Sequence, residues 1–109
     1  MISTHILDTT KGKPARGVTV SLELFDNAIW RRIGEGVTNE DGRIKPLLEV
    51  IPKEGTYRLH FEVAEYFKQQ GVDAFFPQVT IAFHVKSAKE HFHVPLLLNP
   101  FGYSTYRGS

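Results

Sequence analysis

Four stretches of this chain alternate apolar and polar residues with a period of two, a rhythm that only a strand with one buried face satisfies. In "VTVSLELF", Val18, Val20, Leu22 and Leu24 fall on one side, with Thr19, Ser21 and Glu23 opposite. "TYRLHFEV" aligns Tyr57, Leu59, Phe61 and Val63 against Thr56, Arg58, His60 and Glu62. "QVTIAFHV" aligns Val79, Ile81, Phe83 and Val85. "HFHVPLLL" puts Phe92, Val94, Leu96 and Leu98 on one face and His91, His93, Pro95 and Leu97 on the other. A weaker strand runs through Ile29, Ile33 and Val37 of "AIWRRIGEGV". Turn chemistry separates these runs: "TKGKPARG" after an N-terminal strand, "NEDGR", "PKEG", and "NPFG" before a last short strand "YSTYR". "AEYFKQQG" reads as a short helix stopped by Gly71. The pattern predicts an all-β chain, an antiparallel β-sandwich with one helical insert, forming a single domain over residues 1–109.

Composition narrows the function. A chain of 109 residues, 41% of them hydrophobic, supports one core and gains from self-association. Thirteen Lys and Arg against twelve Asp and Glu give a net charge of +1, which argues against nucleic-acid or anionic-membrane partners. The absence of cysteine excludes disulfides, thiolate catalysis and cysteine-ligated zinc, and suits a reducing compartment. "MISTHILDTT" lacks the basic and apolar regions of a signal peptide, and no apolar run reaches membrane-spanning length, so a soluble cytoplasmic protein is expected.

A few residues carry chemistry. His93 points away from the core beside Pro95 and Leu97, an apolar outer face that implies cover by another subunit. The competing reading is an ordinary surface histidine. Pro95 within a strand implies an edge or a bulge. His91 and His93 share a face at a spacing compatible with a metal, a weak signal without a third ligand. His5 lies in the first strand and reads equally as a histidine satisfied by a neighbouring carbonyl. Arg43 follows the Asp41–Gly42 turn, where a solvated arginine is the commoner outcome, and Lys11, Lys13 and Arg16 read as solvated. No G-x-S-x-G elbow or phosphate loop is present. Residue chemistry leaves three options open: a histidine-driven hydrolase, a ligand carrier, or a β-sandwich interaction module.

Three runs, "HILDTTKGKPARGVTVSLEL", "TNEDGR" and "HVPLLLNPFGYSTYRGS", closely resemble the 5-hydroxyisourate hydrolases, transthyretin-related enzymes of uric acid breakdown. The matching runs lie between His5 and Ser109, and the terminal Tyr-Arg-Gly-Ser is the most specific part, because it separates these hydrolases from transthyretins proper. The resemblance implies a transthyretin-like, eight-stranded sandwich assembled as a homotetramer, a dimer of dimers, with sites at the dimer–dimer interface along a central channel. It implies working residues at His5, Arg43 and His93, with substrate-binding residues Tyr106, Arg107, Gly108 and Ser109, and neither metal nor cofactor. His91 matches no catalytic position of the family. The runner-up is a carrier of a hydrophobic ligand in the same channel.

The reaction so implied adds water at the C6 carbonyl of 5-hydroxyisourate and opens the ring at N1–C6, giving 2-oxo-4-hydroxy-4-carboxy-5-ureidoimidazoline. One histidine would deprotonate water and the other would hold the water or protonate the departing nitrogen, as a group with a pKa of about 6.5 can do near neutrality. Arg43 would favour the anionic intermediate. Residues 107–109 are expected to form a wall of the site, held by a strand over Tyr103–Tyr106, with Gly108 allowing close approach and the Ser109 carboxylate orienting a cation.

Overall fold

The computed structural model of the protein describes residues 1–44, 47, 52–87 and 89–109. Within them the chain forms strands β1 (Ile2–Asp8), β2 (Lys13–Pro14), β3 (Thr19–Asp26), β4 (Ile29–Val37) and β5 (Gly55–Phe61). Helix α1 (Val63–Lys68) and strands β6 (Val79–Val85), β7 (Phe92–Asn99) and β8 (Gly102–Thr105) follow. They build two four-stranded sheets of order β2-β1-β7-β8 and β4-β3-β5-β6. The period-two sets become the core between them: Val18, Val20, Leu22, Tyr57, Leu59, Phe61, Phe92, Leu96 and Leu98 are all buried. Truncating one of these to alanine costs about 2–5 kcal/mol, the lost burial plus the cavity left behind.

The expected sandwich departs from all-antiparallel pairing in one place. β1 and β7 run parallel, from Ile2 beside Phe92 to Asp8 beside Leu98. No turn joins them, since the other sheet and α1 intervene, so no hairpin dictates their direction.

Three local readings change. Val63 keeps the phase of β5 but opens α1, which buries Val63, Tyr66 and Phe67 and ends where Gly71 takes φ of 71°. In β4 the residues Ile29, Ile33 and Val37 do not share one buried face, and of the three only Ile33 packs, partly buried, against the core. Leu22 pairs with Gly34 but Glu23 with Arg32, so Ile33 is an extra residue that shifts the alternation. Ile29 and Val37 are consequently exposed, while Gly34 and Gly36 face inward under Leu47 and Ile44. Pro95, finally, sits neither at an edge nor at a bulge. β7 is an interior strand, and its ladder to β8 runs only to Leu96–Thr105. Pro95 has no N–H to offer on that side, so pairing skips Pro95 and Val94 and resumes in the same register at the His93–Gly108 bridge.

Candidate active site

The parallel pairing decides which side chains share the outward face of the first sheet. Ile2, Thr4, Ile6 and Asp8 of β1 point into the core, so Ser3, His5 and Leu7 point out, as His93 does from β7. The register sets Ser3 beside His93, and His5 beside Pro95, one step further along. Buried polar groups hold this sheet in place. Thr4 donates its hydroxyl to the Val94 carbonyl at 2.7 Å, and Tyr66 donates to the Asp8 carboxylate at 2.8 Å, tying α1 to the end of β1. Burial, with Asp8 alongside, pushes the Tyr66 hydroxyl up to about 12, so it remains a donor.

Arg43 reaches the site through turn chemistry rather than strand periodicity. The Asn39 side-chain oxygen accepts the backbone N–H groups of Asp41 and Arg43 at 2.9 and 3.1 Å. Gly42, at φ of 73°, lends its carbonyl to the Ile6 N–H at 2.9 Å. Any Cβ at Gly42 would run into the Ile6 carbonyl oxygen, so only glycine lets the turn press on β1. Beyond the two-residue β2, that turn closes the free edge of β1 and makes a His5–Arg43 bridge. Arg43 is therefore half-buried against the sheet, whereas Lys11, Lys13 and Arg16 are exposed as expected.

His93 is held on three sides. Its Nδ1 lies 2.8 Å from the Ser3 hydroxyl, and its carbonyl accepts the Gly108 N–H at 2.8 Å. Gly108 lies flat on the ring, since a Cβ there would stand 2.5 Å from His93 Cδ2 and 3.1 Å from Pro95 Cγ. Pro95 is buried by this segment of its own chain, not left for another subunit to cover. Among the described residues Nε2 of His93 has no partner, so it is the nitrogen offered to a substrate.

An open cavity of about 490 Å³ lies here, lined by Ser3, Thr4, Arg43, His91, His93 and Ser109, with Met1, Ile2 and Ile44 completing it. His5 stands beside it on the Arg43 bridge rather than on its lining. Burial first, then the Arg43 guanidinium, pulls His5 below the ordinary 6.5, against the opposing pull of Asp41. Burial, then Arg43, His5 and His91, lowers His93 as well. Both shifts favour the neutral imidazole near pH 7, the form with a free pair of electrons with which to take a proton.

The terminal motif divides between two surfaces. Ser109 lines this cavity and Gly108 packs on the His93 ring, whereas Tyr106 and Arg107 line a second groove of about 230 Å³ with Phe83, Phe92 and Thr105, a groove that His93 also borders. Arg107 stacks over Phe92 at 4.9 Å and pairs with Glu90 at 3.4 Å. His91 and His93 share a face with ring centres 6.4 Å apart. Among the described residues no group of three His, Cys, Asp or Glu side chains is placed to hold a metal. Ser3 is the residue the sequence argument passed over. Its spacing of two from His5 put it on the same face, but nothing local connected it to His93.

The HIUase/Transthyretin family model matches residues 2–108 of the chain. The chain belongs to this family. A 5-hydroxyisourate hydrolase of Salmonella dublin is 47% identical over 110 residues, covering 100% of this chain and 81% of that protein. The solved structure of Klebsiella pneumoniae 5-hydroxyisourate hydrolase overlays with a TM-score of 0.88 at 40% identity, covering 99% of this chain and 92% of that one. Sea bream transthyretin, solved with thyroxine, overlays with a TM-score of 0.92 at 31% identity, covering 98% and 93%. The transthyretin thus matches the backbone slightly better and the sequence less well. The backbone therefore does not separate a 5-hydroxyisourate hydrolase from a transthyretin, and the side chains in the cavity must.

Proposed function

We propose that the protein hydrolyses 5-hydroxyisourate to 2-oxo-4-hydroxy-4-carboxy-5-ureidoimidazoline, a step of uric acid degradation, with all of residues 1–109 forming the catalytic unit. The observation that carries this reading is the placement of His93, whose Nδ1 and ring edge are held by Ser3 and Gly108, leaving Nε2 free in a cavity shared with Arg43. His93 takes a proton from the water that attacks the C6 carbonyl. Arg43, a permanent cation with several donors, stabilises the oxyanion that forms. His5, on the Arg43 bridge, orients the water or returns a proton to the departing ring nitrogen. Gly108 and Ser109 wall the cavity, and Tyr106 and Arg107 anchor that wall and complete the binding surface. The steps require neither metal nor cofactor.

A hydrophobic-ligand carrier, the other activity open to this fold, fits the cavity less well, because imidazole and guanidinium groups line it. The cavity is open on the outer face of the first sheet, where Leu7 and Leu97 lie side by side and half-exposed. A second dimer covering this face would enclose the site, which supports a homotetramer built as a dimer of dimers. No described helix is long and apolar enough to cross a membrane. The cysteine-free chain suits the reducing cytoplasm, where we place the reaction.

The test is direct. 5-Hydroxyisourate is generated from urate with urate oxidase, and its ultraviolet decay is followed with and without the protein. Faster decay supports the hydrolase. Decay at the blank rate, together with saturable binding of an apolar ligand, would establish the carrier instead.

A further inference from the structure

The Ser3 hydroxyl touches two imidazoles at once. It lies 2.8 Å from Nδ1 of His93 and 2.8 Å from Nε2 of His91, which is exposed to solvent while His93 is half-buried. A serine hydroxyl donates one hydrogen bond and accepts others. If it accepts from His93 Nδ1–H, it donates to His91 Nε2, and if it donates to His93 it accepts from His91. The tautomers of the two histidines are thereby locked to each other through one oxygen.

We propose that Ser3 and His91 form a proton relay that lets His93 act first as base and then as acid without ever carrying a net charge. In the first step the water O–H bond breaks as its oxygen bonds to the carbonyl carbon, and the proton goes to His93 Nε2. The Nδ1 proton of His93 passes to Ser3 Oγ, the hydroxyl proton of Ser3 passes to His91 Nε2, and His91 releases its Nδ1 proton to solvent. In the second step His93 Nε2–H protonates the departing ring nitrogen. His91 takes a proton from solvent at Nδ1, and the same hydrogen bonds return one to His93 Nδ1. The cycle closes with no net proton gained or lost.

The surroundings explain why such a path helps. The ionisable groups around His93 are His5 from β1, Arg43 from the 39–43 turn and His91 from just before β7, all of which disfavour an imidazolium there, as does burial. Asp41 bears on His5, and Glu90, beside His91, is engaged by Arg107 at 3.4 Å. A proton arriving at Nε2 is therefore best matched by one leaving at Nδ1. Ser3 and His91 are positioning and relaying residues, acting through His93 and not on the substrate.

This inference rests on His93 being the proton-transferring group, and the experiment separates the two. Four variants are compared, Ser3→Ala, Ser3→Thr, His91→Phe and His93→Ala, with circular dichroism to verify folding. Turnover is followed against pH, in mixtures of H₂O and D₂O, and with added imidazole. Ser3→Ala and His91→Phe are expected to lower kcat roughly 10–100-fold with KM little changed, short of the roughly 10²–10⁴-fold a positioned acid–base group supplies. Ser3→Thr, which keeps the hydroxyl, retains activity, and imidazole restores His91→Phe. The dependence of kcat on deuterium fraction is curved in the wild type, as several protons move together, and becomes linear in Ser3→Ala. An inactive His93→Ala beside Ser3→Ala and His91→Phe variants with wild-type kcat, pH profile and deuterium dependence would overturn the relay alone. An active His93→Ala would overturn the role of His93 and the relay with it. A loss in Ser3→Ala that shows only in KM would reduce Ser3 to a structural contact and also overturn the relay.

Discussion

Both sheets of the sandwich present histidine and arginine on their outward faces, yet the two faces are chemically opposite. On the second sheet, Arg58 and His60 of β5 meet Glu23 of β3. Arg58 Nε lies 2.5 Å and His60 Nε2 2.7 Å from the same carboxylate oxygen, His60 Nδ1 meets the Thr80 hydroxyl at 2.8 Å, and Arg58 stacks over Trp30 at 4.1 Å. The Arg58 guanidinium and both His60 ring nitrogens are thus engaged, and the arginine's charge is matched by Glu23. On the first sheet, His5, His93 and Arg43 have no carboxylate paired with them among the described residues, and a cavity opens in front of His93 and Arg43. Charge left uncompensated around neutral imidazoles is a poor way to stabilise a sheet and a good way to hold a developing anion. The difference marks the first face as the working surface and the second as a structural one.

Removing the working groups should break this contrast most visibly. His93→Ala and Arg43→Ala are each expected to lower kcat/KM by roughly 10²–10⁴-fold, the scale of acid–base or oxyanion contributions, with thermal stability nearly unchanged. His60→Ala should leave kcat/KM at the wild-type value, and a comparable loss in both histidine variants would erase the distinction between the faces. Gly108→Ala comes next. Its methyl group would meet His93 Cδ2 at 2.5 Å, so the end of the chain must lift from the ring. Turnover should fall about 10–100-fold, part of the acid–base contribution it disturbs, while circular dichroism reports an intact sandwich. Unfolding of this variant would show the segment to be structural.

The pH dependence sharpens the comparison at smaller amplitude. Because burial and Arg43 depress His93 and His5, kcat/KM should stay flat as pH falls through 6.5 and decline only below it, as the imidazoles become protonated. An acid limb centred above 6.5 would contradict the geometry of Arg43. On the other face the Arg58 hydrogen bond, aided by His60, holds Glu23 below its ordinary 4.5. A depressed carboxylate stabilises the fold above its unfolded pKa and loses that contribution as pH falls through the folded value. Chemical denaturation of Glu23→Gln at pH 7 should show a loss of about 1–2 kcal/mol, the range for hydrogen bonds to charged groups that are only partly buried, and a flatter decline in acid. The variant should leave turnover intact.

Much of the architecture was legible because its signals are local. Period two placed Val18 to Leu24 and Phe92 to Leu98 in the core and sent His93 outward, Gly71 ended the helix, and Asn39 to Gly42 shaped a turn. The misreadings came where one strand's phase depends on another. The extra residue at Ile33 exists only relative to β3, and the break at Pro95 shows only against the chain that pairs with it. Tyr106 to Ser109 read as one unit, but the register across that break turns Gly108 toward His93 and leaves Arg107 on Phe92.

By itself, then, the sequence determined which residue types face outward and which are buried, since side-chain direction in a strand follows from backbone geometry alone. Its motifs also carried the family. Tertiary structure decided which outward residues meet. Ser3 and His93 are separated by 90 residues, and their contact depends on β1 and β7 running parallel in one particular register. A shift of one residue in that pairing would turn His93 to the opposite side of its neighbours. Pairing between distant strands is selected by the packing of the whole core, so no local window of the chain contains it.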